Sequence, residues 1–428
     1  MAPTPKPGEL GSQDTVVLKY NEILKSNGIT DEVSEVIVGD SGLQGEGQSS
    51  QTQYVTVKFK NANVKPLNLF VKSHSDNASH SEFLEDTKLF EKEARFFVEY
   101  LPAAKAFCKS KGCENLVDLY PKCYFGDKNM IVFENLVLEK GYELLNKQER
   151  QDLDAVRFAV TTLAKHHAIS YAFIKESDGP ENFFKRFQNL DFEAYAQPTA
   201  RAMLDSMLDK GIVTNVTMLQ KSNLPGTEGA IGFLNSYMGK VYDDLLNNIL
   251  YNPEDEKLLV LDHGDYWNNN MMFLKDKETN QIIGHKAIDL QVTRYNSPGL
   301  DLGYYMLTSI KGDVRRAHLH EILGWYYETL TQTAVQLGHP IDLSYEELYL
   351  SFRKKLKFGF WIALCVMSDA GFAAVKNLNM NEVGDLKNWS VMYDKLIQEW
   401  INANPEQAAE SAKSILDFVN EYRELLVE

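Results

Sequence analysis

Three short stretches in the first third of the chain have the apolar or alternating pattern that is typical of β-strands. They are Val33–Val38, Tyr54–Lys60 and Leu67–Lys72, and a short helix predicted over Thr15–Ser26 precedes them. Residues 39–50, between the first two strands, are rich in glycine and serine. The pattern therefore predicts three consecutive strands. A glycine-rich turn joins the first two, and the third ends on a lysine.

A helix is predicted next, over Ser81–Tyr100, because its apolar residues recur on one face. Glu93 flanks that face, three residues after Phe90 and four before Phe97, whereas the other glutamates lie further round the helix. We therefore expect Glu93 to form an ion pair with Lys72. A partly exposed helix glutamate is the alternative, since helix boundaries are uncertain at this stage.

A strand over Met130–Phe133 follows, and the chain then continues through Glu134, Asn135 and Leu136. A strand that leaves the sheet here would form a hinge whose backbone groups bind adenine. Glu134 and Leu136 are the candidate hinge positions, although Glu134 is also compatible with an ordinary surface acid.

The remainder of the chain is predicted to be mostly helical. In a long helix over Asp152–Lys175, His167 falls on the apolar stripe, which favours a hydrogen-bonded core histidine over a metal ligand or base. His166 is placed on the flank of that stripe. Further helices are predicted at about 191–209, 228–250, 314–337, 345–377, 388–402 and 405–427.

The most specific chemistry in the sequence is the run His263–Asn270, which has the spacing H-x-D-x-x-x-x-N of a kinase catalytic loop. In phosphoryl transfer, the aspartate of this loop orients the attacking hydroxyl, while the asparagine and a later aspartate hold magnesium ions. Asp265, Asn270 and Asp289 are the candidates for these roles. Oxygen-bearing side chains of this kind are the ligands that Mg²⁺ prefers.

A β-hairpin is predicted between these residues, because two apolar stretches flank the polar turn at residues 275–281. If its centre lies near Glu278, residue n pairs with residue 556 − n, which places Asp289 opposite Trp267. The hairpin would then bring Asp265, Asn270 and Asp289 together. A surface loop rich in aspartate and asparagine is the alternative.

The order of strand, glycine-rich turn, two strands and lysine is the order that a kinase N-terminal lobe requires. Glycine allows backbone N–H groups to approach phosphates, and the lysine of the third strand contacts them. Gly45, Gly47, Ser49 and Lys72 are therefore candidate nucleotide-binding residues. The turn lacks the pattern G-x-x-x-x-G-K-[ST], which disfavours a P-loop fold. An ordinary hairpin turn and a solvated lysine are the alternatives.

Composition limits the function further. The 428 residues suggest several domains or one two-lobed enzyme, and 44% hydrophobic residues supply ample core. A net charge of −16 argues against a nucleic-acid partner. The four cysteines lack paired C-x-x-C spacing and are interpreted as free thiols in a reducing compartment. With no secretory signal and no apolar stretch long enough for a membrane span, we expect a cytoplasmic protein.

The chain contains the motifs His263-Gly264-Asp265-Tyr266-Trp267-x-x-Asn270, Ile288-Asp289-Leu290-Gln291, Arg294-Tyr295-Asn296-Ser297-Pro298-x-x-Asp301-Leu302, Phe90-x-x-Glu93-x-x-Phe96-Phe97 and Leu163-Ala164-x-x-His167-Ala168. Together they resemble the ecdysteroid kinase-like family, a branch of the aminoglycoside phosphotransferase and choline kinase superfamily. The resemblance covers about residues 30–400. The chain has Leu290 where the family usually has phenylalanine and Asn135 where aspartate is frequent, and both departures are mild.

The resemblance implies an α+β fold of the two-lobed protein-kinase type, with a small β-rich N-terminal lobe and a larger, mostly helical C-terminal lobe. We expect a disordered lead-in at 1–14, the first lobe at 15–134 and the second at 135–428. Asp265 would be the catalytic base, Asn270 and Asp289 would bind Mg²⁺, and Lys72 and Glu93 would position the phosphates of ATP. Asp301 would cap the helix from Leu302 onward and brace the catalytic loop.

The implied activity is phosphorylation of a small, lipophilic hydroxyl acceptor, with an ecdysteroid-like steroid favoured. A choline- or aminoglycoside-type kinase is one alternative, since the net charge permits an acidic pocket. A non-catalytic pseudokinase that binds a hydrophobic ligand is another, although the magnesium-binding residues that such a protein would lack are present. The sequence does not indicate the acceptor or the oligomeric state.

Overall fold

The computed structural model describes residues 13–40, 50–74, 78–145, 150–250, 253–366 and 386–427. The predicted phosphate-binding residues Gly45, Gly47 and Ser49 lie outside the described residues, as does most of the predicted lead-in. All four cysteines are free thiols. None of the described helices combines the length and apolar character that a membrane span requires.

The N-terminal part is built on a five-stranded antiparallel sheet with strand order β1-β2-β3-β5-β4. Valines and leucines that alternate along β2 and β3 are buried beneath helix α1, which explains the alternating pattern in the sequence. Two smaller sheets, β10-β7 and β6-β8-β9, belong to the C-terminal part. The strands are β1 Val33–Asp40, β2 Ser50–Phe59, β3 Leu67–His74, β4 Cys123–Gly126, β5 Met130–Glu134, β6 Tyr142–Leu144, β7 Val260–Asp262, β8 Met271–Lys275, β9 Ile282–Ala287 and β10 Arg294–Asn296.

Helices dominate the rest of the chain, and the predicted α+β architecture of a small β-rich lobe and a larger helical lobe is confirmed. The helices are α1 Gln13–Ser26, α2 Ala78–Thr87, α3 Leu89–Arg95, α4 Leu101–Ser110, α5 Leu136–Lys140, α6 Leu153–Glu176, α7 Pro180–Arg186, α8 Pro198–Lys221, α9 Thr227–Asn235, α10 Val241–Ile249, α11 Gly299–Ser309, α12 Gly312–Gln336, α13 Tyr345–Trp361, α14 Leu386–Ala403 and α15 Pro405–Val427.

The helix predicted over Ser81–Tyr100 is not continuous. Lys88 has φ of 55°, in the left-handed region that is uncommon for residues other than glycine, and it separates α2 from α3. A π-helical turn at Phe96–Tyr100 then leads into α4. The predicted apolar face is nevertheless correct, and Glu93 lies at its edge with only 1% of its surface exposed.

The β8–β9 hairpin is present, but its register differs from the prediction. Met271 pairs with Ala287 and Phe273 with His285, so the numbers of paired residues add to 558 rather than 556. Extended by two residues, this register places Asp289 opposite Asn269 instead of Trp267. Because side chains alternate with a period of two, a shift of two residues keeps the same faces together.

Close packing of α11 against α13 fixes the helix behind the candidate site. A Cβ atom added to Gly359 would lie 2.3 Å from the carbonyl oxygen of Gly303, and one added to Gly299 would lie 2.5 Å from that of Ser351. Both distances are far below van der Waals contact, so glycine is required at these crossings. Helix α11 is therefore held against α13 backbone to backbone, and the residues on its other face are rigidly placed.

Candidate active site

Lys72 joins the two lobes of the molecule. At the end of β3, its Nζ atom donates to Oε2 of Glu93 at 2.6 Å and to Oδ1 of Asp289 at 2.7 Å. The predicted pair of Lys72 and Glu93 is thus present, with Asp289 as a second partner. Burial acts against the charged amine, but Asp289 and Glu93 outweigh it, so the pKa of Lys72 is raised and the side chain stays cationic.

Asp289 lies directly after the hairpin in a left-handed conformation, with φ of 66°. This conformation is strained for a residue with a Cβ atom, and such strain concentrates at functional sites. The neighbouring backbone is fixed on both sides. The amide of Ile288 donates to the carbonyl of Asn270 at 3.0 Å, and His263 Nε2 contacts the carbonyl of Ile288 at 3.0 Å. Asp289 is therefore joined to the catalytic loop through the backbone.

Asp265 is held by two neutral hydrogen-bond donors. The Tyr304 hydroxyl donates to Oδ1 at 2.6 Å, and the Asn270 side-chain amide donates to Oδ2 at 2.8 Å. Burial raises the pKa of Asp265 to about 6, Tyr304 and Asn270 act in the opposite direction, and Asp289 adds to the increase. A carboxylate with a pKa close to neutrality is suited to accept a proton from a hydroxyl.

The backbone of the catalytic loop is braced by Asp301. Its Oδ2 accepts from the amide of His263 at 2.7 Å and its Oδ1 from the amide of Gly264 at 2.9 Å. Gly264 has φ of 82°, and a Cβ atom there would lie 2.0 Å from the carbonyl oxygen of Val292, so no other residue fits. Burial works against ionisation of Asp301, but hydrogen bonds, His167 first among them, lower its pKa to about 2.

The predicted capping role of Asp301 is wrong. Pro298 occupies the N-cap position of α11, and Asp301 lies inside the first turn of the helix. Its carboxylate points to the loop backbone instead, and charge-assisted bonds to two loop amides are stronger than neutral ones. Asp301 therefore acts as the predicted brace and not as a cap.

A hydrogen-bonded cluster lies beneath the loop. His167 is fully buried between the Tyr326 hydroxyl, at 2.6 Å, and Asp301, at 3.1 Å, as predicted for a core histidine. His166, predicted on the flank, is also buried and bonds to the Tyr120 hydroxyl. The prediction that His166 lies on the flank was wrong because α6 packs against neighbouring elements on more than one side, so its flank is buried as well.

His167, Asp262 and Asp301 are close enough together to ligate an ion. Arg294 is the cross-strand neighbour of Asp262, and it disfavours an added cation. Burial raises the pKa of Asp262 well above that of an ordinary carboxyl, which works against the ionised form that a metal ligand needs. We therefore interpret the cluster as support for the loop.

The predicted hinge residues have structural contacts of their own. Glu134 accepts from the backbone amide of Lys122 at 2.8 Å and pairs with Lys140 at 2.9 Å, so it is not an ordinary surface acid. Asn135 caps α5 through a bond from the amide of Leu138 at 3.0 Å, and an asparagine performs this role as well as aspartate. Leu136 is buried in an apolar cluster with Tyr142 and Met272.

The donor atoms at the loop fit a hard divalent cation. The amide nitrogen of Asn270 is used by Asp265, which leaves its amide oxygen as the atom available to a metal. Asp289 supplies a carboxylate, and both residues are joined by the Ile288 backbone bond. One amide and one carboxylate oxygen, completed by phosphate oxygens and water, form the ligand set that Mg²⁺ takes at nucleotide sites.

Two residues at the site escaped the sequence analysis. Tyr304 lies three residues after Asp301 on α11, hence on the same helix face, and this spacing was a usable signal. Lys92 is fully buried beside Glu93 and bonds only to backbone carbonyls among its described partners, a contact that leaves no trace in the sequence.

A carboxylate suited to take a hydroxyl proton thus lies beside a cation and oxygen ligands suited to phosphates, below a small β-rich lobe. Together, fold and site define the protein as a small-molecule kinase, a phosphotransferase. Its sequence matches the ecdysteroid kinase-like family over residues 44–339, and the chain belongs to that family.

Among solved structures, the chain is similar to GDP complexes of aminoglycoside 2′-phosphotransferase-IIIa. A point mutant of that enzyme has 14% identity, a TM-score of 0.36, and coverage of 92% of this chain and 99% of its own. The wild-type enzyme has 13% identity, a TM-score of 0.37, and coverage of 91% and 99%. Both scores are low, so no conclusion about this chain depends on them. The comparison with curated proteins gave no match.

Proposed function

We propose that this protein transfers the γ-phosphoryl group of ATP, with Mg²⁺, to a hydroxyl of a small lipophilic molecule, with an ecdysteroid-like steroid favoured. Residues 15–134 would form the nucleotide-binding lobe and residues 135–428 the acceptor lobe. The observation that carries the proposal is the position of Lys72, which bonds to both Glu93 and Asp289 next to a catalytic loop with an available base.

Asp265 would receive the acceptor proton. The acceptor oxygen forms its bond to phosphorus while the bond from phosphorus to the leaving ADP oxygen breaks, and the hydroxyl proton passes to the Asp265 carboxylate. Tyr304 and Asn270 fix that carboxylate in one orientation. Mg²⁺ held by Asn270 and Asp289 would neutralise charge on the phosphates. Lys72 would turn from Asp289 toward the phosphates while keeping Glu93.

The nucleobase would bind at the hinge. Leu136, Tyr142 and Met272 form a buried apolar cluster, with Leu144, Leu274 and Ile288 packed against it. This cluster connects the end of β5 with the hairpin that carries Asp289. An adenine ring is flat and largely apolar, so such a surface suits it, and Glu134 and Leu136 mark the adjoining backbone.

The rings and the charges near Asp265 together support a lipophilic acceptor over a cationic one, whereas aromatic rings alone would also bind a cation. The rings of Tyr304 and Phe358 are 5.4 Å apart, and those of Tyr195 and Phe358 are 6.4 Å apart. Glu193, an acidic residue of this region, forms an ion pair with the buried Arg294 at 2.9 Å. The Arg294 guanidinium also lies 5.0 Å from the Tyr195 ring and 5.5 Å from the Phe358 ring. Glu193 and both rings are therefore already engaged by a cation of the protein, which disfavours their use by choline or an aminoglycoside.

A substrate screen tests the proposal. Purified protein, ATP and Mg²⁺ would be incubated separately with a panel of hydroxylated steroids and with a panel of amino alcohols and aminoglycosides. Mass spectrometry would then follow the gain of one phosphate. We expect phosphorylation in the steroid panel. Turnover only of cationic acceptors would reject the lipophilic assignment, and specific ligand binding without any phosphate transfer would favour a pseudokinase.

A further inference from the structure

Lys92 is a fully buried lysine next to Glu93 on helix α3. Its Nζ atom donates to the backbone carbonyl of Phe192 at 2.7 Å and also to that of Thr293. A buried ammonium group is costly unless its donors are satisfied. The two backbone oxygens of the C-terminal part therefore satisfy the donors of a lysine that is buried in the interior.

Both carbonyls lie at functionally informative positions. Thr293 follows Asp289 by four residues, at the point where the chain enters β10. Phe192 lies in the segment between α7 and α8, next to Glu193 and three residues before Tyr195. Lys92 thus links the helix that carries Glu93 to the segment that carries Asp289.

Neighbouring contacts also tie α2 and α3 to the C-terminal part of the molecule. Leu89 packs in a small apolar cluster with Val292. Glu91 accepts from the Asn189 side chain at 3.0 Å, and Asp86 on α2 accepts from the Thr199 hydroxyl at 2.6 Å. The first of these contacts is apolar and the other two are partly buried hydrogen bonds, whereas Lys92 is a fully buried lysine.

We propose that Lys92 is a positioning residue that clamps α3 to the C-terminal lobe and thereby keeps Glu93, Lys72 and Asp289 aligned. The role in catalysis rests on the proposed phosphotransferase function. The clamp itself is a property of the fold. Glu93 can hold the Lys72 amine next to Asp289 only while α3 stays at a fixed position relative to the segment that follows Asp289.

The clamp is charge-dependent. Burial lowers the pKa of Lys92 to about 7, while Glu193 and Asp191 favour the charged amine and Arg294 disfavours it. A lysine released into water has a pKa of about 10.4, so above pH 7 the opening of α3 requires the amine to take up a proton. The clamp therefore becomes harder to open as the pH rises above 7.

The test compares Lys92→Met, which keeps the length of the side chain but not its donors, with Lys92→Arg, which keeps the charge at every pH. Lys109→Met is the control, because Lys109 is a lysine of the same lobe that lies on α4 and is exposed. The measurements are amide hydrogen exchange across residues 89–100, the dissociation constant for ATP, and kcat and KM over a range of pH.

For Lys92→Met we expect exchange in α3 to accelerate about 10- to 100-fold beyond any change elsewhere, with a similar loss in kcat/KM for ATP. Lys92→Arg, which stays charged at every pH, should restore both, and it should lack the increase in α3 protection above pH 7 that is expected for the wild type. Lys109→Met should match the wild type. If Lys92→Arg proves unstable, the α3 protection factors of the wild type provide the same test: after correction for base-catalysed intrinsic exchange, they should be greater above pH 7 than below it.

Two results would overturn the clamp. One is α3 exchange in Lys92→Met equal to the wild type, and the other is acceleration spread uniformly over the protein, which indicates only lost global stability. Because hydrogen exchange requires no turnover, it tests the clamp even if no acceptor is phosphorylated. Normal phosphotransfer in a variant with loosened α3 would instead retain the enzyme function and reject the positioning role.

Discussion

Asp265 and Glu93 are both carboxylates of the candidate active site, but the structure holds them by different means. Asp265 is fixed by neutral donors, Tyr304 and Asn270, on a loop whose backbone is braced by one residue of α11. Glu93 is fixed by a cation, Lys72, on a helix clamped by a second cation, Lys92. The first arrangement depends on hydrogen bonds to the loop and on close packing behind it, whereas the second depends on lysines that connect the two lobes. Different perturbations should therefore disrupt the surroundings of Asp265 and those of Glu93.

Removing the base should have the largest effect. Asp265→Asn keeps the shape and the hydrogen-bond geometry of the loop but cannot accept the acceptor proton, so kcat should fall about 10²- to 10⁴-fold. ATP binding should persist, because Asp265 is not among the phosphate-contacting residues. Steady-state kinetics and calorimetry measure the two quantities. Asp276→Asn is the control, because Asp276 lies in the turn of the β8–β9 hairpin, and this variant should retain full activity. If Asp265→Asn turns over at the same rate as the wild type, Asp265 is not the catalytic base.

Replacing Lys72, the cation shared by Glu93 and Asp289, should have its largest effect on the stability of the fold. Lys72→Met leaves Glu93 and Asp289 without their shared cation, and the free energy of unfolding should fall by roughly 3–5 kcal/mol. Burial already raises the pKa of Glu93, and loss of Lys72 raises it further. The folded variant then binds more protons than the unfolded chain, so its deficit should grow as the pH rises through neutrality and shrink in acid. Urea titrations at several pH values measure this.

Lys58→Met is the control for that experiment. Lys58 pairs with Glu35 on the surface of the same sheet, with side chains that are 46% and 48% exposed. An exposed pair of this kind contributes about 0–1 kcal/mol. If Lys72→Met loses no more free energy of unfolding than Lys58→Met, or if its loss does not depend on pH, the buried network has no special role.

The packing of α11 against α13 should be sensitive to the size of a side chain and insensitive to pH. Gly359→Ala would force a methyl group against the backbone of Gly303 on α11, and we expect a loss of about 1–3 kcal/mol that does not vary with pH. Gly324→Ala is the matched control. No atom lies within 4 Å of its added methyl group on α12, so this change should stabilise the helix by up to about 1 kcal/mol. Equal effects of the two changes would contradict the requirement for close packing between α11 and α13.

The same contrast explains what the sequence could predict. The catalytic loop was recognisable because its residues are close in sequence, and the hairpin brought Asp289 to it even though the register was two residues off. The turn caused that error. Asn280 takes a left-handed conformation with φ of 58°, and a bulge lies between Leu274 and Lys275, neither of which the polarity pattern encodes.

The surroundings of Glu93 could be predicted only in part from the sequence. The face of Glu93 followed from helical periodicity, but the break at Lys88 did not, because lysine rarely adopts a left-handed conformation. The role of Lys92 was hidden for a different reason. A lysine between two glutamates normally indicates a solvated surface, and its partners are backbone carbonyls that any residue could supply.

The most direct test of the site is the effect of ATP on unfolding with and without Mg²⁺, in the wild type and in Asp289→Asn. At a free ATP concentration of about 100 times its dissociation constant, Mg·ATP should raise the free energy of unfolding of the wild type by about 2.7 kcal/mol. Most of this gain should vanish when Mg²⁺ is chelated or Asp289 is replaced. An equal gain in all of these conditions would contradict a magnesium–nucleotide site at Asn270 and Asp289.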